Sequence, residues 1–347
     1  MPGHDVYLVG SVPMADAATV FKETSQALGP RLKRIPDGET GPRLDWVVWL
    51  ETVFQEHPQF ELSAETFQLH EQAPVFTRYQ VKDGILPSEV EFGDLPWSDV
   101  AIEAYTVFRR LRDAGDIPAG TKFQVDLVPA HSVIWLFVRS DQQAEIDPKF
   151  NAAVEREIDK IAAVIPHQDL AIQLDVASAV FARLERGEGD AYGATKREMF
   201  ENFTQILATL GNRVPIDIDL LYHFCYGDSG HKHVIEPTDM GDMVELANRL
   251  TGALRRPIQL IHMPVPRDRS DDAYFESLRE LELKSETELC LGLVHYTDGV
   301  DGTKKRLATA RKYVSDFAIA TECGFGRRPP ETIPELLRIH AVVAEID

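Results

Sequence analysis

Apolar residues in this chain gather into short, nearly continuous runs, and longer stretches between them return apolar positions every three or four residues. The runs occupy 6–13, 122–129, 170–176, 215–225, 257–262, 289–295 and 317–323. Runs that are apolar on both sides of the pleat predict strands covered on both faces, as in a parallel sheet. The stretches at 16–28, 99–114, 148–165, 194–210, 239–254, 271–281, 302–314 and 334–344 carry the helical period. Strand and helix therefore alternate seven or eight times, which favours a closed (β/α)8 barrel, a TIM barrel, over an open sheet. Length alone would allow two domains in 347 residues, but barrels of this size with insertions are common. One barrel domain spanning 1–347 is expected.

Two stretches break the alternation. Arg34-Ile-Pro-Asp37-Gly-Glu39-Thr-Gly-Pro-Arg43 is rich in turn formers and carries two acids and two arginines, so it reads as a loop leading into an aromatic helix with Trp46 and Trp49. Either a solvated turn with a surface ion pair or a binding loop fits it. Residues 55–100, with Pro58, Pro74, Pro87 and Pro96, read as an insertion at the barrel mouth or side, with a hairpin.

Composition narrows the partners. Hydrophobic residues make up 44% and charged residues 27%, ample material for a core. The formal net charge of −20, with no basic stripe to offset it, argues against nucleic acid and anionic membranes as partners. Three cysteines cannot staple a chain of this length, which fits a reducing compartment. The N-terminus lacks a basic then apolar leader, so a cytoplasmic location is expected. Whether the chain forms a homo-oligomer stays open.

Four successive apolar runs end in His or Cys. His223 and Cys225 close the run 215–225, and as residues i and i+2 of an extended strand they point to the same face. His262, His295 and Cys323 close the next three. In a barrel the C-terminal ends of all strands open into one pocket, so these residues converge. Zinc takes three or four such ligands. His223, Cys225 and Cys323 are the expected zinc ligands, with His262 either a fourth or a residue that orients one of them. Cys290, in mid-strand, reads as core packing. His231 and His233 read as loop residues near the site, and Asp175 as either a substrate-binding acid or the N-cap of a helix.

These motifs bring a family into view. His223-Phe-Cys-Tyr-Gly227 and Glu322-Cys323-Gly-Phe-Gly-Arg-Arg328 resemble the two zinc-ligand motifs of cobalamin-independent methionine synthases, within the superfamily that also holds uroporphyrinogen decarboxylases. Val9-Gly-Ser11-Val-Pro13 is similar to the family's N-terminal strand end, and Ile172-Gln-Leu-Asp175 to the strand whose acid binds the amino group of the thiol substrate. Val294-His295 falls where the family places a proton-transferring histidine. The likeness is of scattered motifs over nearly the whole chain, and it matches one barrel where full-length family enzymes carry two. Three departures accompany it. Ile261-His262-Met263 stands where the family has a glutamate ligand, Val176-Ala177 replaces Glu-Pro after Asp175, and Asp126-Leu-Val-Pro-Ala130 replaces a Gly-Pro-Val-Thr turn of the folate-bearing pocket.

The resemblance implies a zinc-dependent methyl- or alkyltransferase that holds a thiol as a zinc thiolate for attack on an electrophilic carbon. Its partners would be a small-molecule thiol and a methyl or alkyl donor. A free thiol, with a pKa of ~8.5, is only slightly ionised at neutral pH, and zinc removes that barrier. His295 would move the proton, its ring ordered by the loop Tyr296-Thr-Asp298. Asp175, Ser11, Glu39 and Arg43 would position the charged ends of the substrates. Alternatives are an epoxide-opening thiol transferase or lyase, a zinc hydrolase, a metal-independent enzyme of the uroporphyrinogen decarboxylase type, and a barrel that zinc merely stabilises.

Overall fold

The computed structural model describes residues 3–230 and 232–346. Its strands are β1 Arg34–Pro36, β2 Phe60–Gln68, β3 Val75–Val81, β4 Lys122–Leu127, β5 Leu170–Val176, β6 Asp219–Phe224, β7 Leu260–Pro264, β8 Glu288–Val294 and β9 Ala318–Thr321. Seven of them form one sheet in the order β1-β4-β5-β6-β7-β8-β9, with every neighbouring pair parallel. Residues 5–7 join its two edges, with Val6 bridged in parallel to both Leu32 and Ile319. The Val6 N–H donates to Arg31 O at 3.0 Å, the Tyr7 N–H to Ile319 O at 2.9 Å and the Ile319 N–H to Asp5 O at 2.9 Å. That segment is the eighth stave, and the (β/α)8 barrel is closed.

Alternation along the strands sorts the apolar residues into two bodies. Tyr7, Leu221, Leu260 and Cys290 belong to a small cluster inside the barrel, while the large cluster lies between strands and helices. Cys290 is fully buried there, as its mid-strand position implies. The first residues of four strands close the barrel floor with charge. Arg34 pairs with Asp219 at 2.8 Å and Glu288 at 3.4 Å, and Lys122 pairs with Asp219 at 2.7 Å. Buried charges are tolerable here because each is matched. The open end is therefore the C-terminal one.

The structure differs from the sequence pattern in four places. Arg34–Pro36 is a strand, not loop, because the salt bridges of Arg34 satisfy a charged residue inside the sheet. The aromatic stretch around Trp46 is a pair of 3-10 turns, Gly41–Leu44 and Val48–Leu50, followed by a short helix Glu51–Gln55. Two helices follow β4 and β5 directly, Ala130–Phe137 and Ser178–Arg186. All eight residues of the first are buried, so it lacks the amphipathic period that reveals a surface helix.

Within 55–100, β2 and β3 pair as an antiparallel hairpin. It docks on the end of the Ala130–Phe137 helix, where the Arg139 N–H donates to Tyr79 O at 2.9 Å. This addition lies over the barrel mouth, since Leu69, Pro74 and Phe76 line the cavity there. Among the described residues, no helix is long and apolar enough to cross a membrane.

Candidate metal centre and substrate cavity

The ends of β6 and β9 supply three soft donors. The ligand atoms of His223, Cys225 and Cys323 all lie within 4.8 Å of one another. The two sulfurs are 3.6 Å apart, and Cys323 Sγ is 4.0 Å from His223 Nε2. Two thiolates on one tetrahedral zinc, each about 2.3 Å from it, would stand roughly 3.8 Å apart, so the sulfur pair has the spacing such an ion needs.

His262 stands behind this group. Its Nδ1 is 2.8 Å from His223 Nδ1, and its Nε2 is 3.0 Å from the carbonyl of Thr321. A carbonyl only accepts, so His262 Nε2 carries the proton and its Nδ1 accepts from His223 Nδ1–H. That tautomer leaves His223 Nε2 bare and facing the sulfurs, as metal binding requires. Burial pushes both rings well toward neutrality, His262 to about 4, and the adjacent His262 further disfavours a charge on His223. The Cys323 thiol is held protonated by its hydrogen bond with Cys225 and by burial. A dication among these donors would reverse that for the sulfurs.

Ser11 fixes the Cys323 loop. Its Oγ accepts from the Gly326 N–H at 3.2 Å, and its carbonyl from the Phe325 N–H at 2.6 Å. A Cβ on Gly324 would stand 2.5 Å from Ser11 Oγ, so only glycine permits this approach. Ser11 also faces a cavity of about 170 Å³ at the barrel mouth, together with His223, Cys225 and Cys323.

The cavity wall also carries acids, one of them beside the donors, since Asp175 on β5 is the register neighbour of His223 on β6. Glu39 lines the cavity as well, and both are buried. Glu39 has a φ of 46°, a costly backbone conformation held because Asp37 accepts its N–H at 2.7 Å. Asp37 is in turn gripped by Arg43 at 2.8 and 3.3 Å, so Arg43 reaches the cavity only through this turn. Burial, and then the charge of Asp37, raises the Glu39 carboxyl to about 8. Burial and the charge of Glu39 likewise push Asp175 up, against hydrogen bonds from Gln173 and Trp46. Asp175 lies in β5 and does not cap the helix after it, whose N-cap is Ala177.

His295 is buried and does not line this cavity. Its Nε2 is 2.8 Å from the Val265 carbonyl and its Nδ1 is 3.6 Å from Glu322. Asp298 does not order the ring, because it is engaged by Arg306 at 2.7 and 2.8 Å. Glu322, next to Cys323, also meets His233 at 3.2 Å, and His233 meets Glu236 at 2.9 Å. Burial would raise Glu322, but the His233 hydrogen bond and the charges of His295 and His233 outweigh it and hold the carboxyl at about 2. His231 lies outside the described residues.

The sequence pattern gave no site role to Asp126, Trp46, Glu322 or Trp135. Asp126 had a signal, because Gln124-Val-Asp126 on β4 repeats Gln173-Leu-Asp175 on the neighbouring β5. Trp46 and Trp135 had none, since their place at the cavity depends on how the 3-10 turns and the buried helix fold over the mouth.

Comparison with known proteins agrees with this architecture. A scan against protein-family models finds no match, and none of the curated proteins matches the sequence. Among solved structures, a B12-independent methionine synthase from Shewanella sp. W3-18-1 in complex with selenomethionine is similar over 99% of this chain and 97% of its own, with a TM-score of 0.63 at 12% identity. A proposed vitamin-B12 independent methionine synthase from Listeria monocytogenes is similar over the same shares, with a TM-score of 0.57 at 14% identity. The chain thus has the fold of cobalamin-independent methionine synthase structures along nearly its whole length.

Proposed function

We propose that this chain is a zinc-dependent transferase that activates a small thiol for attack on an electrophilic carbon, with transfer of a methyl or alkyl group. The observation that carries the reading is the trio His223, Cys225 and Cys323, three soft donors within 4.8 Å of one another on the wall of a cavity. Zinc, when bound, supplies Lewis acidity that keeps a coordinated thiol ionised at neutral pH. Three protein donors leave a tetrahedral ion one position for substrate.

The chain's own residues then divide the remaining work. His262 accepts from His223 Nδ1–H and so keeps the ligand nitrogen bare and aimed. Ser11 holds the Cys323 loop, while Glu39 and Asp175 take the charged end of the thiol, with Arg43 bracing Glu39 through Asp37. His295 moves the proton, with the ionised Glu322 3.6 Å from its Nδ1 to stabilise the ring when it is charged. Likeness of fold to methionine synthase structures, one with selenomethionine bound, supports methyl transfer to a thiol. A decarboxylase that depends on arginines fits less well, because Arg327 is the one arginine among the described residues lining the cavity.

Metal analysis of Cys225→Ser and Cys323→Ser tests the reading. Each variant is expected to lose most of its zinc, and full zinc retention in both would overturn it.

A further inference from the structure

Much of the cavity wall takes no part in holding the thiol. The metal donors stand at strand ends, whereas Trp46, Leu69, Pro74, Phe76, Trp135 and Leu136 come from elements folded over the mouth. Trp135 is held on several sides. Its carbonyl accepts from Arg78 Nη2, the Arg183 guanidinium lies 4.8 Å from the centre of its ring, the Phe67 ring is 4.9 Å away, and Ala179 and Ala182 pack against it. The indole is therefore a fixed apolar surface.

Beside this surface stand hydrogen-bond donors without acceptors. Ser132, 4% exposed, lines the cavity, and its Oγ has no partner. It precedes Trp135 by three residues, on the same face of the Ala130–Phe137 helix. The Ser178–Arg186 helix starts at the same wall, where Ala177, Ser178 and Ala179 line the cavity. Its N-cap, Ala177, has no side-chain oxygen and its first turn holds no acid. Hydrogen bonding onto the cap begins with the Val180 N–H to Ala177 O at 2.9 Å, and among the described residues no acceptor meets the N–H of Ser178 or Ala179. Open amides at a helix start favour an acceptor. Trp135, packed on Ala179, brings the ring surface and these donors together.

Charge and size choose among acceptors. Glu39, Asp45, Asp175 and Asp228 share the cavity with one arginine among the described residues, Arg327, which is 3.9 Å from Asp45. A molecule that is already anionic would bury its charge among carboxyls, a cost that an uncharged acceptor avoids. The cavity measures about 170 Å³, and one of about 150 Å³ admits benzene. A folate, with two ring systems and an anionic tail, meets neither condition. We propose that the electrophilic carbon is delivered by an uncharged, mostly apolar molecule of about one ring, seated against Trp135 with an acceptor oxygen facing Ser132 Oγ and the first amides of the Ser178–Arg186 helix. This rests on the thiol-alkylation reading above and adds the class of the second substrate.

Calorimetric titration of the zinc-loaded protein with unreactive ring compounds provides the test. Acetophenone is uncharged and carries an acceptor oxygen, benzoate has the same shape with a negative charge, benzylammonium is positive, and toluene has no acceptor. Acetophenone is expected to bind ~10-fold or more tightly than either charged ring. Ser132→Ala should weaken acetophenone ~2–10-fold, the worth of one hydrogen bond, and leave toluene unchanged, with Ser132→Thr restoring part of the loss. 2-Acetonaphthone, one ring larger, should bind more weakly than acetophenone. The proposal is overturned if acetophenone does not bind, if a charged ring or the larger ketone binds as tightly, or if Ser132→Ala leaves acetophenone unchanged or weakens toluene equally. A separate readout guards the underlying reading, because sulfur coordination to cobalt(II) is visible by absorption in cobalt-substituted protein. If no thiol perturbs that spectrum, the thiol-binding reading fails, a result distinct from any pattern of ring affinities.

Discussion

Replacing His262 by leucine separates a zinc ligand from a residue that orients one. In the structure His262 Nδ1 accepts from His223 Nδ1–H at 2.8 Å, and its other nitrogen is committed to Thr321 O at 3.0 Å. Leucine removes the acceptor and leaves a fully buried N–H unpaired, which costs about 1–3 kcal/mol. Outer partners of metal-bound histidines are worth about 10–100-fold in metal affinity. The two figures agree, since a tenfold change corresponds to about 1.4 kcal/mol. Zinc affinity measured by competition with a chromophoric chelator should therefore weaken about 10–100-fold, while saturating zinc still loads each chain. His262→Gln, which keeps an acceptor oxygen, should recover part of the loss. The reasoning is refuted if His262→Leu cannot be loaded at saturating zinc, which would make His262 a ligand, or if its affinity is unchanged.

Other consequences are open to direct measurement. His295→Asn should leave zinc content unchanged and slow methylation of a thiol by a methylamine-type donor, whose departing nitrogen needs a proton, by ~10²–10⁴. Alkylation of the same bound thiol by methyl iodide should proceed at the unaltered rate, and equal slowing of both would mean a structural role. Glu39 carries a folded-state pKa of about 8 against an ordinary 4.5, so the folded state holds its proton longer than the unfolded one and stability falls as pH rises between those values. Glu39→Gln should flatten that decline in urea unfolding followed across pH, and an unchanged slope would count against it. A Cβ on Gly292 would lie 2.8 Å from Glu322 Cα and 3.0 Å from Pro264 Cα, both backbone, so Gly292→Ala should lower stability by about 1–3 kcal/mol and weaken zinc binding by displacing the Cys323 segment. Unaltered urea midpoint and zinc affinity would remove that claim.

The barrel and the grouping of His223, Cys225 and Cys323 were legible because two local periodicities report them. Apolar runs alternating with helical stretches specify βα units, and residues at i and i+2 near a strand end share a face, which is why His223 and Cys225 stand together. Convergence with Cys323 then follows from barrel closure. What stayed hidden depends on partners distant in the chain. Arg34 sits in a buried strand because Asp219 and Glu288, about 185 and 254 positions away, neutralise it. The Ala130–Phe137 helix is covered on all sides by the hairpin and its neighbours, so it has no polar face to mark it. His262 and His295 read alike as strand-end histidines, and only their second nitrogens, one toward His223 and one toward the Val265 carbonyl, separate their positions.

X-ray absorption at the zinc edge, with and without a bound thiol, tests the central claim most directly. The account predicts two sulfurs and one imidazole nitrogen from the protein, with the sulfur count rising by one when the thiol is added. A sulfur count that does not change with thiol present, or a zinc bound without the Cys225 and Cys323 sulfurs, would contradict it.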